Sequence, residues 1–181
     1  MPLPPLSESP QKIIAQARVR WYTFLPATVG ATILQQKSAE TLAFYSSERT
    51  LVRDLCRLVT SRRGPVHCRE VAFEFNYAAG RTDLVGLGHE SEVHAFETKL
   101  SKWREALEQA RRNACFAHYS YVALPARTAD NALKAKAEFH RHGVGLVALD
   151  GEHGRLAIRP RRNVPLLPWL TQSALGFLLG K

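Results

Sequence analysis

The chain has 181 residues, 45% of them hydrophobic, and a formal net charge of +9 from 25 Lys and Arg against 16 Asp and Glu. This length suits one domain with a self-sufficient core, and the positive charge indicates a polyanionic partner. The three cysteines, Cys56, Cys68 and Cys115, lack CxxC spacing, which excludes a disulfide framework or a zinc site of that type and indicates reduced thiols of a cytoplasmic protein.

The first part of the chain, residues 1–45, is interpreted as an accessory segment preceding a main domain at residues 46–181. Its apolar run from Trp21 to Leu34 is only fourteen residues long and contains Pro26 and Gly30. A transmembrane helix needs about 20 apolar residues, and no signal-peptide pattern is present. No membrane partner is therefore expected.

The first helix of the main domain is predicted over residues 46–59. Ser46 and Ser47 are candidate N-caps, and Glu48 lies in the first turn, where an acidic side chain interacts favourably with the helix dipole. The predicted apolar face consists of Leu51, Leu55, Leu58 and Val59.

Three strands should follow, over residues 66–76, 80–87 and 93–100, because apolar runs of strand length are bounded there by turn residues. A hairpin symmetrical about Glu90 would place Asp83 opposite Glu97. Side chains alternate between the faces of a strand, so Glu97 and Lys99 share one face and Thr98 points to the other. The sequence thus predicts two carboxylates and one amine together on an apolar hairpin.

The same three charges have two interpretations. A structural ion pair, joining Glu97 to Lys99 or to Arg81, would offset the high cost of burying charge. Facing carboxylates, however, repel each other unless a cation lies between them, and their oxygens suit a hard ion such as Mg²⁺. A nearby lysine can orient or deprotonate the attacking water in phosphodiester hydrolysis.

The next elements form a strand–helix–strand crossover. Residues 101–115 have apolar positions at three- and four-residue steps, which predicts an amphipathic helix with Ser101 as N-cap. A strand over 118–125 follows, and the crossover would place it parallel to strand 93–100. The remaining predicted elements are a helix at 129–142, strands at 143–150 and 155–160, and a last helix at 168–179.

Asp83 and Glu97-Thr98-Lys99 resemble the motif of the PD-(D/E)xK nuclease superfamily, although Thr82 stands where that motif has Pro. The resemblance implies an α/β restriction-endonuclease-like fold, with an αβββαβ core and a mixed central sheet flanked by helices, over roughly residues 46–160. It also implies that Asp83 and Glu97 hold Mg²⁺, with Mn²⁺ as a substitute and the Thr98 carbonyl as a further ligand. Lys99 would position the attacking water.

The resemblance extends to side chains around the motif. The helix after Glu-x-Lys in this superfamily often carries Gln-Ala, matched by Gln109 and Ala110, and Gln109 would reach the water or a phosphate oxygen; a solvated helix side chain is the alternative. Glu48 corresponds to a glutamate that joins the metal shell, unless it only serves the helix dipole. Glu74 would lie opposite Asp83 if the preceding turn has four residues, and is slightly favoured over Glu70 as a third carboxylate.

The expected function is that of a divalent-metal-dependent nuclease, a hydrolase of phosphodiester bonds in DNA rather than RNA, acting in repair, recombination or defence. Two alternatives remain: a catalytically weak or inactive DNA-binding or assembly subunit of the same fold, and an unrelated basic domain with an ion-pair cluster. A homodimer would suit cleavage of two strands. Arginine groups would bind phosphates: Arg53, Arg57, Arg62, Arg63 and Arg69; Arg111 and Arg112; Arg155, Arg159, Arg161 and Arg162.

Overall fold

The computed structural model describes residues 45–78, 80–151 and 153–180. Residues 1–44, which make up nearly all of the predicted accessory segment, lie outside this part of the chain. Within it, no helix is long and apolar enough to cross a membrane.

The described elements follow the order αβββαβααββα, with a short 3₁₀ turn, His89–Ser91, between the second and third strands. The helices in this part of the chain are α1 (Glu48–Thr60), α2 (Trp103–Asn113), α3 (Ala126–Leu133), α4 (Lys136–His142) and α5 (Pro168–Leu178). The strands are β1 (Glu70–Tyr77), β2 (Gly80–Leu87), β3 (Val93–Thr98), β4 (Tyr119–Pro125), β5 (Gly145–Asp150) and β6 (His153–Ile158).

The strands of the described residues form one six-stranded mixed sheet in the order β1-β2-β3-β4-β5-β6. Neighbours pair antiparallel from β1 to β3, parallel from β3 to β5, and antiparallel between β5 and β6. The sheet is flanked by helices, and its first six elements have the αβββαβ order. The predicted α/β fold, with an αβββαβ core and a mixed central sheet flanked by helices, is therefore confirmed.

Helices cover both faces of the sheet. Leu51 and Leu55 of α1 join Leu84 and Phe96 in one buried cluster. On the opposite face, α2, α3 and α4 pack over the β4–β5 region, and α5 packs over the β2–β3 region. Burial of this kind contributes roughly 25 cal/mol per Å² of apolar surface, so both layers stabilise the strands that carry the charged motif.

The strand register agrees with the sequence prediction. In the β2–β3 hairpin, Leu84 pairs with Phe96 and Val85 with Ala95, as symmetry about Glu90 requires. In the β1–β2 hairpin, Phe75 pairs with Thr82. The turn length assumed in the prediction is therefore correct.

Predicted elements differ from the structure in several places: helix α2 has Lys102 instead of Ser101 at its N-cap, and the strand predicted at 155–160 spans His153–Ile158. The strand predicted from residue 66 begins at Glu70, because the Cys68 N–H donates to the Val59 carbonyl at 2.7 Å, away from the sheet. The helix predicted over 129–142 is divided into α3 and α4, with Ala135 at φ −109° between them. The break allows Phe139 to pack into the same cluster as the alanines of α3.

We expect Ser47→Ala to lower the free energy of unfolding by about 1 kcal/mol. Ser47 is the N-cap of α1; its Oγ accepts a hydrogen bond from the Thr50 N–H, and the Thr50 hydroxyl receives the Ser47 N–H in return. Urea unfolding measures the difference. Ser46→Ala is the matched control and should change stability by less than about 0.5 kcal/mol; equal losses in both variants would contradict the capping assignment.

Candidate active site

Asp83 is fixed to the end of strand β3. Its Oδ2 atom accepts two hydrogen bonds from Thr98, one from the main-chain N–H and one from the hydroxyl, each 2.8 Å long. No hydrogen bond to Oδ1 occurs within the part of the chain that the structure describes. Thr98 therefore holds one carboxylate oxygen of Asp83 and leaves the other free to contact a ligand.

Glu97 is a buried carboxylate with one unsatisfied oxygen. The residue is 1% exposed, and its Oε1 accepts a 2.6 Å hydrogen bond from Asn113 Nδ2. Its Oε2 is buried and has no hydrogen-bond partner among the described residues. Burial, followed by the charge of Asp83, raises the pKa of Glu97 to about 8. The carboxylate therefore requires a proton or a cation for its negative charge to be tolerated.

Asn113 anchors Glu97 within a buried polar network that the sequence analysis missed. Its Oδ1 accepts hydrogen bonds from the Tyr77 hydroxyl at 2.8 Å and from the Thr82 hydroxyl at 2.9 Å. The sequence feature that could have indicated Asn113 is its position four residues after Gln109, which places both side chains on the same face of helix α2.

Lys99 lies just beyond the end of β3 and is 19% exposed. Its Nζ donates to the Thr98 carbonyl at 3.2 Å and to Glu48 Oε2 at 3.3 Å. Glu48, at the first position of α1, thus reaches the predicted site through its ion pair with Lys99. The contact brings one end of α1 to the carboxyl end of β3.

Gln109 is not a fully solvated helix residue, because its Oε1 is buried without a hydrogen-bond partner within the described residues. Buried side-chain oxygens normally find such a partner. Among the described residues, three side-chain oxygens lack one: Glu97 Oε2, Gln109 Oε1 and Ser120 Oγ. The first two belong to residues that the sequence analysis had selected.

Glu74 lies at the predicted register position, but its side chain does not have the surroundings predicted for a third carboxylate of the site. Its backbone has φ 57°, in the left-handed region, and its carboxylate lies 3.7 Å from the Arg81 guanidinium with 47% of the side chain exposed. This conformation interrupts the alternation of side chains between the two faces of β1. As a result, Phe73 and Phe75, two residues apart, pack on opposite faces of the sheet. Glu70 lies farther along β1, opposite Leu87.

Ligand sets for a metal are limited in this part of the protein. Among the described residues, no group of three or more His, Cys, Asp and Glu side chains is placed to hold a metal ion. The ligand oxygens predicted from the sequence near β3 are the carboxylates of Asp83 and Glu97 and the carbonyl of Thr98, which accepts a hydrogen bond from Lys99 Nζ. Such a small all-oxygen set matches Mg²⁺, which commonly takes one or two protein carboxylates and completes its shell with water and phosphate oxygens.

Several residues of the predicted basic groups form ion pairs. Arg155 contacts Asp130 at 2.8 Å, and Arg111 contacts Glu108 at 3.0 Å.

The cysteines are free thiols, as predicted, and burial raises the pKa of Cys68 to about 12.

No protein-family model and no curated protein matches this chain. Among solved structures, the chain is similar to a protein of unknown function from Silicibacter pomeroyi, with 19% identity and a TM-score of 0.55 over 74% of this chain and 84% of that chain. A repair endonuclease from Pyrococcus abyssi matches with 14% identity and a TM-score of 0.39, over 60% of this chain and 50% of that chain. The first similarity shows a shared fold.

With a chelator present, we expect Glu97 to lower stability as the pH rises from about 4.5 to about 8. The loss is clearest above about pH 6.5, because burial lowers the pKa of His94 to about 4 and gives the opposite slope below that pH. Glu97 has a higher pKa in the folded protein than the ordinary 4.5, so the folded state binds the extra proton in this window. The slope that Glu97 contributes is at most about 1.4 kcal/mol per pH unit. Urea unfolding at several pH values measures it.

Glu97→Gln should flatten this dependence, whereas Glu108→Gln, at a half-exposed position of α2, should leave it intact. A wild-type profile that Glu97→Gln leaves unchanged would show that Glu97 is not the group responsible.

Proposed function

We propose that this protein is a divalent-metal-dependent nuclease that hydrolyses phosphodiester bonds, with DNA favoured over RNA as the substrate. The observation that carries the proposal is the buried Glu97 carboxylate, which has an unsatisfied oxygen and a pKa raised by burial and by neighbouring Asp83. A nearby amine, Lys99, completes the group of charges. The resemblance of Asp83 and Glu97-Thr98-Lys99 to the PD-(D/E)xK motif supports the same chemistry.

Asp83 and Glu97 are the residues that would hold Mg²⁺ or Mn²⁺, with the Thr98 carbonyl as a further oxygen ligand. The fit rests on the donor set, which is entirely oxygen, and on the Glu97 Oε2 atom, which has no partner among the described residues. When bound, the ion would supply Lewis-acid chemistry and neutralise negative charge on the substrate. The additional carboxylates proposed from the sequence, Glu48 and Glu74, lie in ion pairs with Lys99 and Arg81.

The side chains have separate roles in the proposed reaction. Thr98 fixes one carboxylate oxygen of Asp83, and Asn113 fixes one of Glu97, so both carboxylates have a defined orientation in the site. Lys99 holds the attacking water and stabilises the negative charge that develops on the phosphate. Its ion pair with Glu48 is partly exposed, so it is weak enough to be exchanged for a phosphate contact. Gln109 would hold the water or a phosphate oxygen through its side-chain amide.

The polyanionic partner follows from the charge of the whole chain. A net charge of +9 favours nucleic acid as the macromolecule that approaches this site. Duplex DNA offers two strands to cut, and a homodimer would present two such sites by two-fold symmetry.

Asp83→Asn and Lys99→Met should each reduce cleavage by about 10²-fold or more, because each removes a charged group that contacts the reacting phosphate, the water or the metal. The assay follows cleavage of supercoiled, linear and single-stranded DNA and of RNA, with Mg²⁺, Mn²⁺ or a chelator. Controls of the same chemistry are Asp130→Asn and Lys134→Met, whose side chains make surface contacts on or just after α3. These controls should keep the wild-type rate.

Two outcomes would contradict the proposal. Cleavage that is equal in wild type, Asp83→Asn and Lys99→Met would mean that another site, or a contaminant, cuts the nucleic acid. DNA binding without metal-dependent cleavage of any substrate would favour a binding or assembly subunit instead.

Binding of Mn²⁺ should raise the thermal stability of the wild-type protein in the absence of DNA. A ligand that binds only the folded state stabilises it by about 2.7 kcal/mol at a concentration 100 times its Kd. Thermal unfolding across a Mn²⁺ titration measures the effect. Asp83→Asn and Glu97→Gln should lose most of the stabilisation while Asp130→Asn keeps it. The same response in all four proteins would place the ion elsewhere.

A further inference from the structure

We propose that Asn113 is a positioning residue of this site, which holds Glu97 Oε1 so that the other carboxylate oxygen, Oε2, is presented to the metal. The inference rests on the proposed function and adds a residue outside the Asp, Glu and Lys motif. Asn113 is the last residue of helix α2 and is 1% exposed. It would act through Glu97 and touch neither metal nor substrate.

The first argument is the complete use of the Asn113 amide. Its Nδ2 donates to Glu97 Oε1 at 2.6 Å, and its Oδ1 accepts from the hydroxyls of Tyr77 at 2.8 Å and Thr82 at 2.9 Å. An ionised carboxylate only accepts hydrogen bonds, so the amide nitrogen must face Glu97 when Glu97 is charged. The two hydroxyls then both donate to Asn113 Oδ1. Hydrogen bonds at the nitrogen and at the oxygen of the amide therefore fix its orientation.

The second argument is the asymmetry that this lock creates in Glu97. One oxygen is occupied by Asn113, while the other is buried and has no protein partner within the described residues. Fixing Oε1 fixes the plane of the carboxylate and the direction of Oε2.

The third argument concerns the partners of Asn113, which come from different elements. Tyr77 ends β1, and Thr82 lies on β2 immediately before Asp83. Asn113 therefore ties the strand that carries Asp83 to the strand that carries Glu97. Outer-sphere contacts of this kind typically change metal affinity by about 10- to 100-fold when they are removed.

The test is a double-mutant cycle on Mn²⁺ affinity, measured without DNA by electron paramagnetic resonance titration. Asn113→Ala should weaken Mn²⁺ binding about 10-fold or more in the wild-type background. In the Glu97→Gln background, the same substitution should cause no further weakening, because the contact through which Asn113 acts is already lost. With DNA present, kcat should fall while KM changes little.

Two additional variants separate positioning from general destabilisation. Thr82→Val is close to isosteric and removes one donor to Asn113, so it should weaken Mn²⁺ binding in the same direction by a smaller factor. Thr171→Val removes a buried 2.8 Å hydrogen bond to the Phe116 carbonyl, near the end of α2, and removes none of the hydrogen bonds of the Asn113 side chain. It should lower stability and leave the Mn²⁺ affinity unchanged.

Three results would overturn the inference. Unchanged Mn²⁺ affinity in folded Asn113→Ala and Thr82→Val would show that the lock does not orient Glu97, while the proposed nuclease function would stand. Equal weakening by Asn113→Ala in both backgrounds would show a general structural effect. Absence of Mn²⁺ binding and of cleavage in the wild type would overturn the proposed function itself, and the inference with it.

Discussion

The burial of Glu97 beside Asp83 is the constraint on which the site depends. Placing two carboxylates near each other in a low-dielectric sheet is energetically unfavourable. The fold supplies hydrogen-bond donors to both of them. Thr98 donates twice to Asp83, and Asn113 donates once to Glu97. These donors are neutral, so they orient the carboxylates without cancelling their charge. The arrangement therefore favours a proton or a cation more than an ordinary buried pair would.

The topology explains how separate parts of the chain reach this point. Strand β3 is antiparallel to β2 and parallel to β4, so it lies between the hairpin that supplies Asp83 and the crossover that supplies α2. Helix α1 covers one face and contributes Glu48 to Lys99, whereas α2 covers the other and contributes Asn113 to Glu97. Both helices must pack correctly for both contacts to form, which couples the site to the stability of the whole sheet.

The fold and the motif register were predictable because they follow from local rules. Turn composition and symmetry about Glu90 determine which residues of β2 and β3 pair. Asn113 was not predictable in the same way, since its partners Tyr77 and Thr82 are brought to it only by tertiary packing. Glu74 shows the opposite limit: its register was predicted correctly, but one backbone torsion at φ 57° determines where its side chain points. The pattern of apolar residues in a sequence does not predict such a torsion.

The ion-pair interpretation of the motif can be judged from the partners that the cations have. Lys99 and Arg81 were the proposed partners of Glu97, yet Lys99 pairs with Glu48 and Arg81 with Glu74. Both contacts are partly exposed and are worth at most about 1 kcal/mol. Within the described residues, no Lys or Arg lies within 4.0 Å of the Glu97 carboxylate. An ionised buried carboxylate without a cationic partner lowers stability, so an ion pair does not account for Glu97. Its charge is tolerated only with a proton or a bound cation, which is why the pH and Mn²⁺ responses of Glu97 distinguish the two.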